Sequence, residues 1–309
     1  MSTAILSYIQ LQIIRYATPI ILIFGNLGNI CIIISFSRRR QSSCAMYLLF
    51  NALFNSLYLT FNVSLSLYGL YYGNPTSSNL ILCKFRYYLS QTWNQTATTF
   101  AILACIDRFA LVTRHKYLQL INKSFICRII IGITCISWHT LLIPTLFFVT
   151  IENRSCTFIG IYYLIYSIYI AVFLSLIPPI LMIIFGLLSY HNMTQLHKRI
   201  RPMMSNHIVI IHRRDRQLFL LVLAQAIVYV LTIFPYPFIV LEVTITNQMG
   251  IQKSVEWIQI ENFLSIIGVV LTYISCATPF YTYFMTSKTY RKDFLKSFTQ
   301  CQRQSLVEN

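Results

Sequence analysis

Few residues in this chain are equipped for chemistry. Of its 309 residues only eight are acidic and six are histidines. Asp107 and Arg108 stand side by side at the end of a long uncharged run, residues 87–106. A guanidinium can grip a carboxylate through two hydrogen bonds, so this pair suits charge recognition. Hydrolysis within a membrane would need paired aspartates, a Ser-His couple or a metal-ligand cluster inside the apolar runs. His139 is the only histidine well inside such a run, and no acid accompanies it. An interhelical hydrogen bond fits it better than a catalytic or metal-binding role. No enzyme activity, metal or cofactor is therefore expected.

The elements that position these residues are long and apolar. The chain is 56% hydrophobic and 10% charged, where a soluble domain carries about 25% charge. Residues 16–37, 45–72, 87–106, 129–149, 159–190, 218–241 and 262–287 are seven segments of spanning length, each above the roughly 18 residues that mark a membrane helix. The second and fifth exceed one span, so their ends are loop or helix extension. A helix from Cys83 to Arg108 would be roughly 37 Å long, enough to cross a core of about 30 Å. It puts a cysteine at one face and the acid–base pair at the other. Residues 1–15 lack a basic leader and cleavage site, so the first span is expected to act as an uncleaved anchor.

Orientation follows from lysine and arginine. With the N-terminus outside, 19 of the 24 basic residues fall in the inner loops and tail, as the positive-inside rule favours. The net charge of +16 then belongs to a cytoplasmic membrane face, and nucleic acid is not an expected partner. Of nine cysteines, Cys83 and Cys156 alone fall outside, where thiols tend to pair. The sequon at Asn153 lies in the same outer loop and is a candidate for glycosylation.

The landmarks resemble those of the rhodopsin-like (class A) family of G-protein-coupled receptors, with a possible likeness to its peptide receptors. In that family a cysteine opens helix three and an Asp-Arg-Tyr type triplet closes it; here the triplet is Asp107-Arg108-Phe109. Gly28-Asn29 matches the helix-one pair. Asn55 stands where helix two carries an aspartate, and Trp138 stands at the helix-four tryptophan. Pro178-Pro179, Pro235 and Pro279 match the kink sites of helices five, six and seven. Phe294 and Phe298, interleaved with basic residues, match an amphipathic eighth helix on the inner leaflet; Cys301 beyond it is a palmitoylation candidate.

The resemblance implies an all-α membrane protein: a seven-transmembrane helix bundle with a short amphipathic eighth helix. Residues 1–15 would be an extracellular N-terminus, 16–286 the receptor domain, and 287–309 the amphipathic helix and cytoplasmic tail. It implies a Cys83–Cys156 disulfide between helix three and the following outer loop. Asn29, Asn55 and Thr278 would form an interhelical polar core, with Trp138, Pro178 and Pro235 in structural roles. Asp107, Arg108, Phe109, Asp215 and Pro279 would form the activation switch, Asp215 facing Arg108 from the foot of helix six. Ser90, Gln91, Asn94, Tyr236 and Thr272 would line the ligand pocket. Partners would be an extracellular peptide or chemosensory small molecule, a heterotrimeric G protein and membrane lipids, at the plasma membrane.

Departures sharpen this expectation. Ile233 replaces the helix-six tryptophan, Thr282 the helix-seven tyrosine and Gly186 the helix-five tyrosine. Ser90 stands where amine receptors hold an aspartate, so a biogenic amine is disfavoured, and Thr272 stands at the retinal lysine of opsins, so no Schiff base can form. In the family's sodium pocket the positions are Asn55, Ala97 and Thr278. A neutral amide cannot offset cation desolvation. The competing reading is a transporter or channel, which calls for intramembrane charges and paired repeats; neither stands in the sequence.

Overall fold

The computed structural model describes residues 3–37, 42–113, 123–152, 155–200, 223–233, 235–287, 290–292 and 294. Asp215, Cys301, the sequon at Asn153 and most of 287–309 lie outside the described residues. Helix α1 comprises Thr3–Gln12, a π-helical turn Ile13–Ala17 and Thr18–Ser37. It is followed by α2 (Ser43–Tyr72), α3 (Leu80–Val112) and α4 (Ser124–Leu141). After a short helix, Pro144–Phe148, comes a hairpin of β1 (Val149–Glu152) and β2 (Ser155–Phe158). Helix α5 comprises Tyr162–Tyr169, a π-helical stretch Ile170–Leu176 and Ile177–Ile200. Helix α6 covers 223–233 and Pro235–Gln248, and α7 is Val255–Ala277, followed by the short helix Pro279–Thr286.

Among the described residues six helices are long and apolar enough to cross a membrane: Ile5–Ser37 of α1, α2, Ser124–Phe148, Tyr162–Asn192, Leu223–Gln248 and α7. This makes the chain a multi-pass helical membrane protein with almost no sheet. Their outward faces are apolar, as lipid requires. On α1, Ile20, Ile23, Phe24, Leu27, Ile30 and Ile34 are all exposed. The surplus residues expected at the ends of the second and fifth segments are helix: α2 alone has 30 residues.

Helix α3 is the exception, and the reason is its position. At 33 residues it is long enough, but it is too polar to join the six. Thr92, Asn94, Gln95, Thr96 and Thr98 are buried on it. A helix walled in by other helices can carry such side chains when neighbouring groups take their hydrogen bonds. Its other stripe is small: Ala97, Ala101, Ala104 and Cys105 are buried at helical spacing. Phe100 projects from between them into Tyr47, Phe50 and Phe54 of α2, with ring centroids 5.7–6.4 Å apart.

Two other elements differ from expectation. Helix α1 reaches back to Thr3 rather than starting near residue 16. Arg15 interrupted the apolar run, but its guanidinium sits 6.0 Å from the centroid of the Tyr71 ring, where a cation is attracted to the ring face. The loop after α4 forms the β1–β2 hairpin, with Ile151 opposite Cys156. Val149 and Phe158 bury one face of it among Cys83, Tyr166 and Ile170.

The prolines are accommodated by side chains of neighbouring turns and helices. Pro178 and Pro179 have no N–H, so the Leu174 carbonyl lacks both its α-helical and its π-helical backbone donor. The Tyr229 hydroxyl of α6 donates to that carbonyl at 2.7 Å. Likewise Pro279 cannot donate to the Ser275 carbonyl, and Thr278 Oγ1 does so at 3.3 Å. Tyr229→Phe is expected to leave the Leu174 carbonyl unmatched in a buried site, costing about 1–3 kcal/mol. Thermal unfolding in detergent checks this; an unchanged midpoint would show that the carbonyl finds another donor.

Candidate functional site

Helix α3 carries the residues of interest at both ends, and the site is built around it. It starts cleanly because the Asn79 side chain accepts from the Leu82 N–H at 3.1 Å, capping the first turn. One turn on, Cys83 is bonded to Cys156 in β2, with Cα atoms 5.8 Å apart. The disulfide holds the hairpin across this end of the bundle. The Tyr87 hydroxyl adds a hydrogen bond to the Cys156 carbonyl at 3.3 Å, and Phe158 packs on the Tyr87 and Tyr166 rings, with centroids 4.8 and 4.1 Å away.

Beside the disulfide opens a cavity of about 320 Å³. Ser90, Gln91, Asn94, Tyr236 and Thr272, from α3, α6 and α7, all line it. An adjoining lobe of about 390 Å³ shares Arg86, Tyr87, Tyr166, Ile170, Tyr236, Val269 and Tyr273 with the first. Such volumes are those of small-molecule sites. The lining is held in place by bonds between helices. Ser90 Oγ donates to Asn62 Oδ1 of α2 at 2.7 Å, and Gln91 Nε2 donates to the Tyr166 hydroxyl of α5 at 2.7 Å. Thr272 Oγ1 turns back to the Gly268 carbonyl at 3.0 Å. Gly268 lets α6 approach α7: a Cβ there would lie 2.6 Å from Tyr236 Cδ2. Arg86, Tyr58, Tyr87, Tyr166 and Tyr273 belong to the lining too, and sequence reasoning did not single them out. The one signal for Arg86 was its place a turn beyond Cys83 on the same helix.

At the opposite end of α3, Arg108 donates to Asp107 Oδ2 at 2.8 Å, and both side chains are buried. Phe109 meets Phe185 of α5 at 5.7 Å between centroids. This end of α3 is fixed against α5 through rings and holds its charges within the bundle.

Between the two ends lies a polar knot. Asn51 is its hub: its Nδ2 donates to the Ala97 carbonyl of α3 at 2.8 Å, and its Oδ1 accepts from Asn55 and from Gln225 of α6. Gln225 in turn accepts from the Tyr283 hydroxyl. A cavity of about 20 Å³, room for a water molecule, is lined by Asn51, Asn55, Asn94, Gln225 and Thr278 among others. Asn55 and Thr278 thus share a site, whereas Asn29 stands apart and donates to the Cys276 carbonyl of α7 at 3.3 Å. Asn94 lines both this small cavity and the large one. Of the two tyrosines flanking Thr282, Tyr283 is fully buried and turned toward α6, while Tyr281 bonds the Phe24 carbonyl of α1 at 2.8 Å.

Trp138 of α4 donates through Nε1 to Thr99 Oγ1 of α3 at 2.8 Å, so it ties α4 to α3. His139 departs from expectation. Its Nδ1 meets the Cys135 carbonyl of its own helix at 2.7 Å, and the interhelical bond here is made by its backbone carbonyl, which accepts from the Tyr88 hydroxyl at 3.0 Å. A carbonyl one turn back is simply nearer than any neighbour. Pro178 and Pro235 sit where helical segments change, after the π-stretch of α5 and at the start of Pro235–Gln248. No known protein-family model matches the chain, and no curated protein matches it.

Proposed function

We propose that this chain is a rhodopsin-like seven-helix receptor, α3 being its seventh span, which couples an extracellular ligand to a heterotrimeric G protein at the plasma membrane. The observation that carries this reading is the arrangement along α3. One end is disulfide-bonded beside an open cavity, the other holds the buried Asp107–Arg108 pair, and a hydrogen-bonded polar knot lies between. A ligand in the cavity would touch Asn94, which also borders the knot. The knot joins α2, α3 and α6 and, through Tyr283, the chain beyond Pro279. A ligand that prefers one packing of these helices shifts the population of that packing. The charged end of α3 would then meet the G protein on the cytosolic side. The ligand is a peptide or chemosensory small molecule, and no catalysis is involved.

The test is nucleotide exchange. Purified protein in nanodiscs, mixed with members of each G-protein class and a ligand panel, is expected to accelerate GTP-analogue uptake by at least one of them. Absence of exchange with every class, from protein shown to be folded, overturns the reading.

The same reading predicts insensitivity to sodium. The small cavity is lined by amides and hydroxyls, with no carboxylate among the described residues. Desolvating a cation there has no compensating charge. Agonist affinity in sodium chloride is expected to equal that in an equimolar bulky organic cation, within about twofold. A sodium-selective drop of tenfold or more, about 1.4 kcal/mol, would place a charge that this lining does not have.

A further inference from the structure

We propose that Arg86 anchors a carboxylate of the ligand, so that the site takes an acid with an aromatic or aliphatic body; this rests on the receptor reading only for its signalling consequence. Arg86 lines both lobes of the large cavity, and it is the only charged residue among the described residues that line either. Its one hydrogen bond among the described residues is from Nη1 to Thr76 Oγ1, at 3.4 Å, near the limit of such a bond. Thr76 is itself held, donating through Oγ1 to Asn74 Oδ1 at 2.8 Å. A guanidinium has five N–H donors in a planar fork, so most of its donors have no protein partner among the described residues. A carboxylate fits that fork through two parallel hydrogen bonds, and a half-buried site strengthens them.

The rest of the lining says what body the acid carries. Tyr58, Tyr87, Tyr163, Tyr166, Tyr236 and Tyr273 surround the space. Their rings offer broad apolar faces, and Ile170, Val269 and Ile266 add aliphatic surface. No acid stands there to pair with an ammonium, and Arg86 repels one, with only the tyrosine ring faces to offset the repulsion. Glu261 does not change this: it is buried, paired with Lys253, and outside the lining of both lobes. The carboxylate could belong to a free small acid or to the C-terminus of a short peptide, and the chemistry at Arg86 is the same.

The probes are 4-phenylbutyrate, indole-3-acetate and dodecanoate, each beside its primary amide, and di- and tripeptides ending in Phe or Leu, each beside its C-terminal amide. Binding is read as thermal stabilisation of the full chain in nanodiscs, with no G protein present. Acids in at least one arm are expected to stabilise the protein, and their amides to bind at least tenfold more weakly. The responding arm separates small acid from peptide terminus. Arg86→Gln is expected to abolish the difference between acid and amide, and Arg86→Lys to keep part of it. Both variants are first shown to unfold at the wild-type midpoint without ligand; if Arg86→Gln does not, Arg86→Lys and the acid–amide ratio of the wild type carry the test. Equal binding of acids and amides, unchanged acid binding by Arg86→Gln, or no acid binding at all overturns the proposal. Acid binding through Arg86 without any nucleotide exchange would leave the anchor standing and remove the receptor reading. Exchange driven by a neutral ligand and indifferent to Arg86→Gln would do the reverse.

Discussion

Cys156→Ser is expected to reduce the yield of folded protein severalfold and to lower its unfolding midpoint markedly. The bridge joins residues 73 apart in sequence, and closing a loop of that length in the unfolded chain corresponds to about 4 kcal/mol. In a membrane the helices remain inserted when their packing is lost, which restricts the loop already, so about 2–4 kcal/mol is the fitting range. The local consequence adds to this. The hairpin covers the cavity end of the bundle, and what fixes it there is the disulfide, the Tyr87–Cys156 hydrogen bond and the packing of Phe158. Without the bridge these weaker contacts and the packing of Val149 must hold the eight strand residues of the hairpin against the bundle. Cys83→Ser should match Cys156→Ser, and the double variant should be no worse than either, because both remove one bond. Maleimide labelling without reductant is the direct check. If Cys83 and Cys156 both label in folded protein, the bridge is not formed and the argument fails.

The disulfide also shows what the sequence makes legible and what it does not. Helix positions could be read because lipid permits no charge, and the charged stretches between apolar runs mark the ends. Where that rule met an exception it misled. Arg15 shortened α1 on paper, although Tyr71 receives its charge. Helix α3 was read as one apolar segment among seven, although its polar stripe is what sets it apart from the other six. Partnerships between helices were hidden for a simpler reason: they join residues far apart in sequence, with no local pattern. Asn51 lies one turn before Asn55, yet its role as hub depends on Ala97 and on Gln225, 174 residues away. Tyr229 is an ordinary aromatic until it is seen beneath the carbonyl that Pro178 leaves bare. The cavity was legible in part. Positions on α3, α6 and α7 were in view, but the tyrosines of α2 and α5 that complete its wall were not.

Asp215→Asn is expected to raise ligand-independent signalling severalfold, and Arg108→Ala to lower signalling while the protein still reaches the surface. Both rest on the proposed receptor function. Arg108 ends α3 buried, with one guanidinium nitrogen on Asp107 at 2.8 Å. Asp215 stands twenty positions before Pro235 in the chain, outside the described residues; the resemblance implies an acid there that faces the helix-three arginine, whose planar fork suits a carboxylate. Asp107 competes for that guanidinium, and Arg213, Arg214 and Arg216 compete for Asp215. An exposed pair contributes at most about 1 kcal/mol. Even so, a shift of about 1.4 kcal/mol changes a two-state ratio tenfold, so a weak latch is visible in basal activity. The structure supplies a rival holder. Asp107 is already bonded to Arg108 inside the bundle, and a buried pair is screened less by water and salt than a surface one. Asp107→Asn therefore serves as the comparison. If Asp215 holds the inactive state, Asp215→Asn raises basal signalling at matched surface expression, and adding Asp107→Asn raises it further. If Asp107→Asn alone raises it and Asp215→Asn leaves it unchanged, the restraint is the adjacent pair seen here. Asp215 then takes no part in the restraint, and the latch across the helices does not exist.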